Sequence, residues 1–197
     1  MCKIIHVNNW DNNKLQFTVC FSGHRPEKLP LDKRGRPFNI NLVKSILYYE
    51  ILELFRYGYT RFISGCARGV DLWAAEIVMG LMSTCGIELI CALPMPYKSH
   101  ILNFSAEEEY LLAALIRNSR YCFCTGDKPS RFCFSERNKF MVDNSSAILA
   151  VISDYKSGTG QTVGYAKKKN LDMHIIDADK LAAFSDLAKN KKGVYYQ

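Results

Sequence analysis

The sequence predicts one α/β domain spanning residues 1–197, a doubly wound and mostly parallel sheet with helices on both faces. Three observations lead there. Apolar runs of strand length alternate with stretches of helical periodicity along the chain. Two of those runs, Ile87 to Leu93 and Ser146 to Ile152, are almost continuously apolar, as in strands covered on both faces. Glycine-containing turns recur where strand runs give way to helices. With 197 residues and 48% hydrophobic composition the chain can bury a core without help from metals or disulfides. No repeat, low-complexity tract or linker divides it.

Lys3 to Val7, followed by the turn-like Asn8-Asn9-Trp10-Asp11-Asn12-Asn13, is expected to add an antiparallel edge strand. Gln16 to Phe21 is β-branched and aromatic, and Ser22-Gly23-His24-Arg25-Pro26 breaks it. From about Asn39 to Tyr57, Val43, Leu47, Ile51 and Leu54 form one stripe of a helix that Gly58 can cap. Thr60 to Ser64 is the next strand. The helix opened by Asp71 is apolar on nearly every side and ends at Gly86, so it should be buried against the sheet. After the strand Ile87 to Leu93, Ser105 and Glu108 carry the spacing of a capping box for a helix to Asn118. Tyr121 to Cys124, a helix from Ser135 to Asp143, and Ser146 to Ile152 follow. The turn Asp154 to Gly160 then leads into a helix from Gln161 to Lys169. Met173 to Asp177 and a helix from Asp179 to Asn190 close the chain.

Composition excludes several classes. No apolar run is long enough to cross a bilayer, and the first ten residues lack a secretory core and cleavage site, so a cytoplasmic protein with no membrane partner is expected. The eight cysteines are dispersed in apolar contexts and read as reduced core thiols. Cys122, Cys124 and Cys133 lack the fourth ligand of a tetrahedral set, so no metal is expected, nor any cofactor. Twenty-six Lys and Arg against nineteen Asp and Glu give a formal charge of +7, which favours phosphate-bearing partners. Part of the excess, Lys167 to Lys169 and Lys189 to Lys192, reads as solvated helix ends, so charge does not choose between nucleotide and polynucleotide.

In open α/β sheets ligands sit beyond the carboxyl ends of the strands, where the order of strands reverses. Three glycine turns occupy such positions: Ser22-Gly23-His24-Arg25, Ser64-Gly65-Cys66-Ala67-Arg68-Gly69, and Ser157-Gly158-Thr159-Gly160-Gln161-Thr162. Small residues, hydroxyls and helix-start N–H groups suit an anion there, and Arg25 and Arg68 add fixed charge. None is a dinucleotide fingerprint or a Walker A loop, since no Gly-Lys-Ser/Thr follows.

Ser64-Gly65-Cys66-Ala67-Arg68-Gly69-Val70-Asp71, with Ala74-Ala75 behind it, resembles the Ser-Gly-x-Ala-x-Gly-[Ile/Val]-Asp signature of the SLOG superfamily, which includes DNA-processing protein A and the Lonely Guy phosphoribohydrolases. The closer resemblance is to its YpsA-like branch, through Gly23 to Pro26, Gly69 to Glu76 and Ala92 to Pro94 in the same order, over about Phe17 to Asn170. The resemblance implies a Rossmann-like fold, a nucleotide or nucleotide-derived ligand at the strand ends and a homo-oligomer. Lonely Guy enzymes carry a Pro-Gly-Gly-x-Gly-Thr-x-x-Glu motif. Here Gly158-Thr159 keeps its Gly-Thr, but Gln161 to Lys169 holds no acid, so hydrolysis by that glutamate is not expected.

Candidate ligand contacts are therefore Ser22, Gly23, His24, Arg25, Ser64, Gly65, Arg68, Gly69, Asp71, Gly158, Thr159, Gly160 and Thr162. Asp71, Glu76 and Glu27 are the acids that would replace the missing glutamate, and His24 is a candidate acid or base. Asp71 has the alternative role of helix cap, and His24 that of a turn residue bonded to backbone. Arg137 and Asn138 can reach the crevice from above, or Arg137 can pair with Glu136. Tyr97 and Tyr155 are better placed than Trp73 to stack on a base, and Leu111, Leu112 and Leu115 serve either core or interface. The leading expectation is a nucleotide-binding or nucleotide-sensing protein, including signalling or NAD-derived nucleotides. A nucleoside-monophosphate glycosidase and a single-stranded DNA-binding protein are the alternatives.

Overall fold

Successive residues of a strand face opposite sides of a sheet, and here that period sorts the helices into two layers. The computed structural model describes residues 4–5, 12–31 and 39–183. Its strands are β1 (Ile4–Ile5), β2 (Thr18–Gly23), β3 (Arg61–Ser64), β4 (Glu88–Leu93), β5 (Tyr121–Cys124), β6 (Ala147–Ile152) and β7 (Asp172–Asp177). They form one sheet in the order β1-β5-β4-β3-β2-β6-β7, with every pairing parallel. The helices are α1 (Ile40–Arg56), α2 (Val70–Cys85), α3 (Tyr97–His100), α4 (Ala106–Asn118), α5 (Cys133–Asp143) and α6 (Gly158–Lys168), and residues 178–183 are also helical.

Val19, Phe21, Phe62, Leu89 and Leu149 face α1, α2 and α4 on one side of the sheet. Cys20, Ile63, Ile90 and Ile148, the residues between or beside them, face α5 and α6 on the other. The helix signals act as their chemistry requires. Val43, Leu47, Ile51 and Leu54 are the buried stripe of α1, and Gly58 beyond its end has φ +95°, open to glycine without a Cβ clash. In the capping box of α4, Glu108 N–H donates to Ser105 Oγ and Ser105 N–H to the Glu108 carboxylate.

Several expectations shift. The amino-terminal strand is an edge strand, but β1 runs parallel to β5, because it docks on the far side of the sheet and does not form a hairpin with β2. Residues 8–11 of the turn-like run lie outside the described residues. Gln16 and Phe17 belong to a 3-10 helix, and β2 continues through Ser22 and Gly23, so those two residues are strand and not loop. The short helix α3 and a 3-10 turn at Ile101–Asn103 fill the stretch after β4, which carried no helical signal. Of the closing helix expected from Asp179 to Asn190, residues 184–190 lie outside the described residues. Leu112 and Leu115 are fully buried in the core, and the half-buried Leu111 packs against the same cluster. Cys20, Cys66 and Cys91 are buried free thiols, and burial pushes the Cys20 thiol up to about 12.

From β2 the chain steps outward through β3, β4 and β5, then returns to place β6 and β7 on the other side of β2. The connections after β2 and β6 leave in opposite directions, so a crevice opens above the carboxyl ends of these two strands. Gly23, the last residue of β2, lies against the first turn of α2: a Cβ there would stand 2.4 Å from Val70 Cβ. Gly23→Ala should therefore lower the unfolding free energy by about 1–3 kcal/mol through overpacking. Gly80→Ala, at a mid-helix position of α2 with open space around it, should raise it by about 0.5–1 kcal/mol. Urea unfolding of both variants checks this, and a Gly23→Ala protein as stable as the parent would refute the contact.

Candidate functional site: a basic crevice at the β2–β6 switch

The turn after β3 is closed by a side chain from the opposite layer. Arg137 of α5 reaches over the end of the sheet, and its Nη1 donates to Asp71 Oδ2 at 3.2 Å, both side chains being less than a tenth exposed. Gly65 is what lets it pass, since a Cβ on that residue would lie 1.3 Å from Arg137 Nη1. Asp71 sits in the first turn of α2 but turns back toward the loop, where it also accepts the Ala67 N–H. Burial pushes its carboxyl upward, and Arg137, the Ala67 N–H and Arg25 oppose that shift. Removing one member of such a pair leaves a buried charge unmatched, a loss of about 3–5 kcal/mol. Ser64 completes the turn: its hydroxyl donates to Asp71 O at 2.8 Å and accepts the Cys66 N–H at 3.0 Å.

His24 performs the equivalent task across the switch. Its Nε2 accepts the backbone N–H groups of Ser153 (3.1 Å) and Asp154 (3.3 Å), joining the end of β2 to the loop after β6. An imidazole that accepts at Nε2 carries its proton on Nδ1, and burial holds its pKa below the usual value. His24 is thus the backbone-bonded turn residue rather than a proton donor to a ligand at Nε2.

Between these supports lies a cleft of about 270 Å³. Among the described residues, Arg25, Lys28 and Arg137 line it against one carboxylate, Asp71, which is already paired. Ser22, Gly23, His24, Ala67, Gly158 and Thr159 line it too, so residues of all three glycine turns meet there. The third of them is not a loop: Gly158, Thr159 and Gly160 are the first turn of α6, with Ser157 as N-cap accepting the Gly160 N–H. That helix start adds partial positive charge to the cleft. Gly160 itself is needed for packing, since a Cβ there would stand 2.1 Å from Tyr155 O. The buried Thr162 accepts from Asn138 Nδ2 at 2.8 Å and donates to Gly158 O at 2.9 Å, tying α5 to α6.

Other candidates fall elsewhere. Arg68 does not line the cleft. Its Nε donates to Glu108 at 2.8 Å, and Glu27 stands 3.6 Å away. Gly69, with φ +87°, would put a Cβ 2.6 Å from His24 O, so it admits backbone and not ligand. Glu76 pairs with Lys44 at 2.7 Å between α1 and α2. Trp73 is core, and neither Tyr97 nor Tyr155 lines the cleft. Phe134, Lys28 and His100 were missed by sequence reasoning. Phe134 is the aromatic wall, within 5.8 Å of the Arg25 guanidinium and 6.0 Å of that of Arg137. Its signal was slight, an aromatic residue three before Arg137. His100 lies in the unforeseen α3, with Nε2 on Cys66 O at 2.8 Å.

Phe134, Asn138 and Gly158 also border a larger groove between α5 and α6, about 590 Å³, lined by Arg131, Lys139, Lys168 and Tyr165 with no acidic side chain among the described residues. Among the described residues no helix is long and apolar enough to cross a membrane, and no group of three or more His, Cys, Asp or Glu could hold a metal.

Residues 19–181 match the model of the YspA SLOG family. The chain belongs to the YspA SLOG family. It is similar to UPF0398 proteins of Staphylococcus aureus, among them those of strains JH9, JH1 and COL, each 23% identical over 175 residues that cover 85% of this chain and 92% of the relative. DNA processing protein A from Streptococcus pneumoniae superposes with a TM-score of 0.46 at 13% identity, over 85% of this chain and 61% of that one. The family match spans every residue that lines the cleft.

Two buried imidazoles make this family member's stability depend on pH. Burial lowers His24, and burial followed by the nearby Arg137 and Arg25 lowers His100 to about 4 despite its bond to Cys66. The unfolded chain takes up these protons near pH 6.5, the folded one only at lower pH, so the unfolded state binds more protons in between. The contribution of these two groups is therefore full above about pH 6.5 and is lost as pH drops, by about 2 kcal/mol from His100 at pH 5, with His24 adding in the same direction. Urea midpoints at pH 7.5 and pH 5 check this, and His100→Gln should flatten the slope.

Proposed function

We propose that this protein binds a phosphorylated, nucleotide-derived ligand in the crevice at the β2–β6 switch. The observation that carries the reading is Arg137 Nε, a buried donor with no hydrogen-bond partner on a side chain that lines the cleft. An unsatisfied buried donor costs about 1–3 kcal/mol, and a phosphate oxygen would recover it. Arg25, Lys28 and the start of α6 supply converging positive charge, and among the described residues three cations stand against one paired carboxylate. Membership of the YspA SLOG family supports the same reading. Binding is preferred to hydrolysis because Asp71, Glu27 and Glu76 each have a basic partner.

Calorimetric titration with nucleoside 5′-monophosphates and ADP-ribose tests it. At least one should bind, and Arg25→Ala should weaken it about ten-fold or more, the loss of one charge-assisted contact. Arg56→Ala, at the exposed end of α1 where it pairs with Glu53, should leave affinity unchanged. If none binds, the reading is overturned.

The α5–α6 groove favours one second reading, single-stranded nucleic acid. Arg131, Lys139 and Lys168 can track a phosphate backbone, and Phe134 and Tyr165 offer rings for stacking. A fluorescent oligonucleotide should then bind with log affinity falling linearly with log salt, and Lys139→Ala should reduce that slope by about one. Salt-independent binding would exclude it.

A further inference from the structure

Among the described residues two buried side-chain polar atoms lack a hydrogen-bond partner, Arg137 Nε and His100 Nδ1. They differ in kind. The first is a donor. The second is an acceptor, because His100 gives its Nε2 proton to the Cys66 carbonyl at 2.8 Å and the ring is neutral. Arg137 lines the crevice, whereas His100 lines a second chamber of about 180 Å³ with Arg68, Met95, Asn103 and Phe104. The two cavities adjoin, for Arg25, Ala67 and Phe134 border both. Phe134 stands between the orphans, its ring 6.4 Å from that of His100 and 6.0 Å from the Arg137 guanidinium.

We propose that the chamber is the second half of the ligand site, taking the part of a phosphorylated ligand that carries a hydroxyl or amino donor, with His100 as its acceptor and Phe134 as the wall it passes. This rests on the phosphate reading above and deepens it to a ligand class: a phosphate joined to a small polar ring, a sugar or the edge of a base. The chamber's size suits one such ring, and Arg25 borders both cavities at the join. A site with an unpaired buried acceptor also discriminates strongly, because an analogue lacking the donor leaves that acceptor buried and unmatched.

The test compares four probes on the intact protein by calorimetry: inorganic phosphate, adenosine 5′-monophosphate, its 2′,3′-dideoxy analogue, and purine riboside 5′-monophosphate, which lacks the amino group. Adenosine 5′-monophosphate should exceed one of its two analogues by about ten-fold or more. Loss with the dideoxy compound assigns a sugar hydroxyl to His100, and loss with the purine compound assigns the base amino group. His100→Leu should erase that preference while leaving inorganic phosphate binding unchanged, with a melting curve confirming that the variant is folded. The preference in the parent protein is readable even if the variant is not. Equal affinity for all three nucleotides overturns the chamber and spares the phosphate site. Failure of phosphate and nucleotides alike removes both.

Discussion

The ion pair between Arg137 and Asp71 is the constraint on which the site depends. It joins α5, on one face of the sheet, to the first turn of α2, on the other, across the end of β3. A guanidinium can take that path only over a residue without a side chain, which is why Gly65 stands below it. Without the pair a carboxylate would be buried with no counter-ion, so the two layers are locked together at the point where the crevice opens.

The same geometry gives the signature glycines a meaning different from the one their composition suggests. Gly23, Gly65 and Gly69 make room for Val70, Arg137 and the His24 carbonyl respectively. Val70 N–H already donates to His24 O at 3.4 Å. The start of α2 is thus a packing joint, and the positive charge facing the cleft comes from Arg25, Lys28, Arg137 and the start of α6. His24 belongs to the same framework, since it holds the β2 and β6 ends in register through two backbone donors. A rigid rim of this kind suits binding, because groups already held in place lose little freedom when a ligand arrives.

Phe134 links the parts. It borders the crevice, the chamber beside His100 and the basic groove between α5 and α6. One half-buried aromatic ring in the first turn of α5 therefore borders three cavities. The cations fall on either side of it, with Arg25 and Arg137 in contact range of its ring and Arg131, Lys139 and Lys168 along the groove.

Periodicity and turn chemistry in the sequence determined the doubly wound sheet, most helices and the three glycine turns. These signals are local: the stripe of α1, the capping box of α4 and the apolar runs of β4 and β6 each lie within one element. The edge strand's direction, the early start of α6 and the existence of α3 were not legible, because each depends on what the segment docks against. The site's pairings were hidden for the same reason. Arg68 stood beside the signature glycines yet pairs with Glu108, forty residues away. Asp71 lies 66 residues from Arg137, and His24 lies 129 from Ser153. The sequence alone thus settled which residue types gather at the strand ends. Only the tertiary structure decided which charges are spent on the protein itself and which face the crevice, because a charge's role is set by its nearest partner in space and not along the chain.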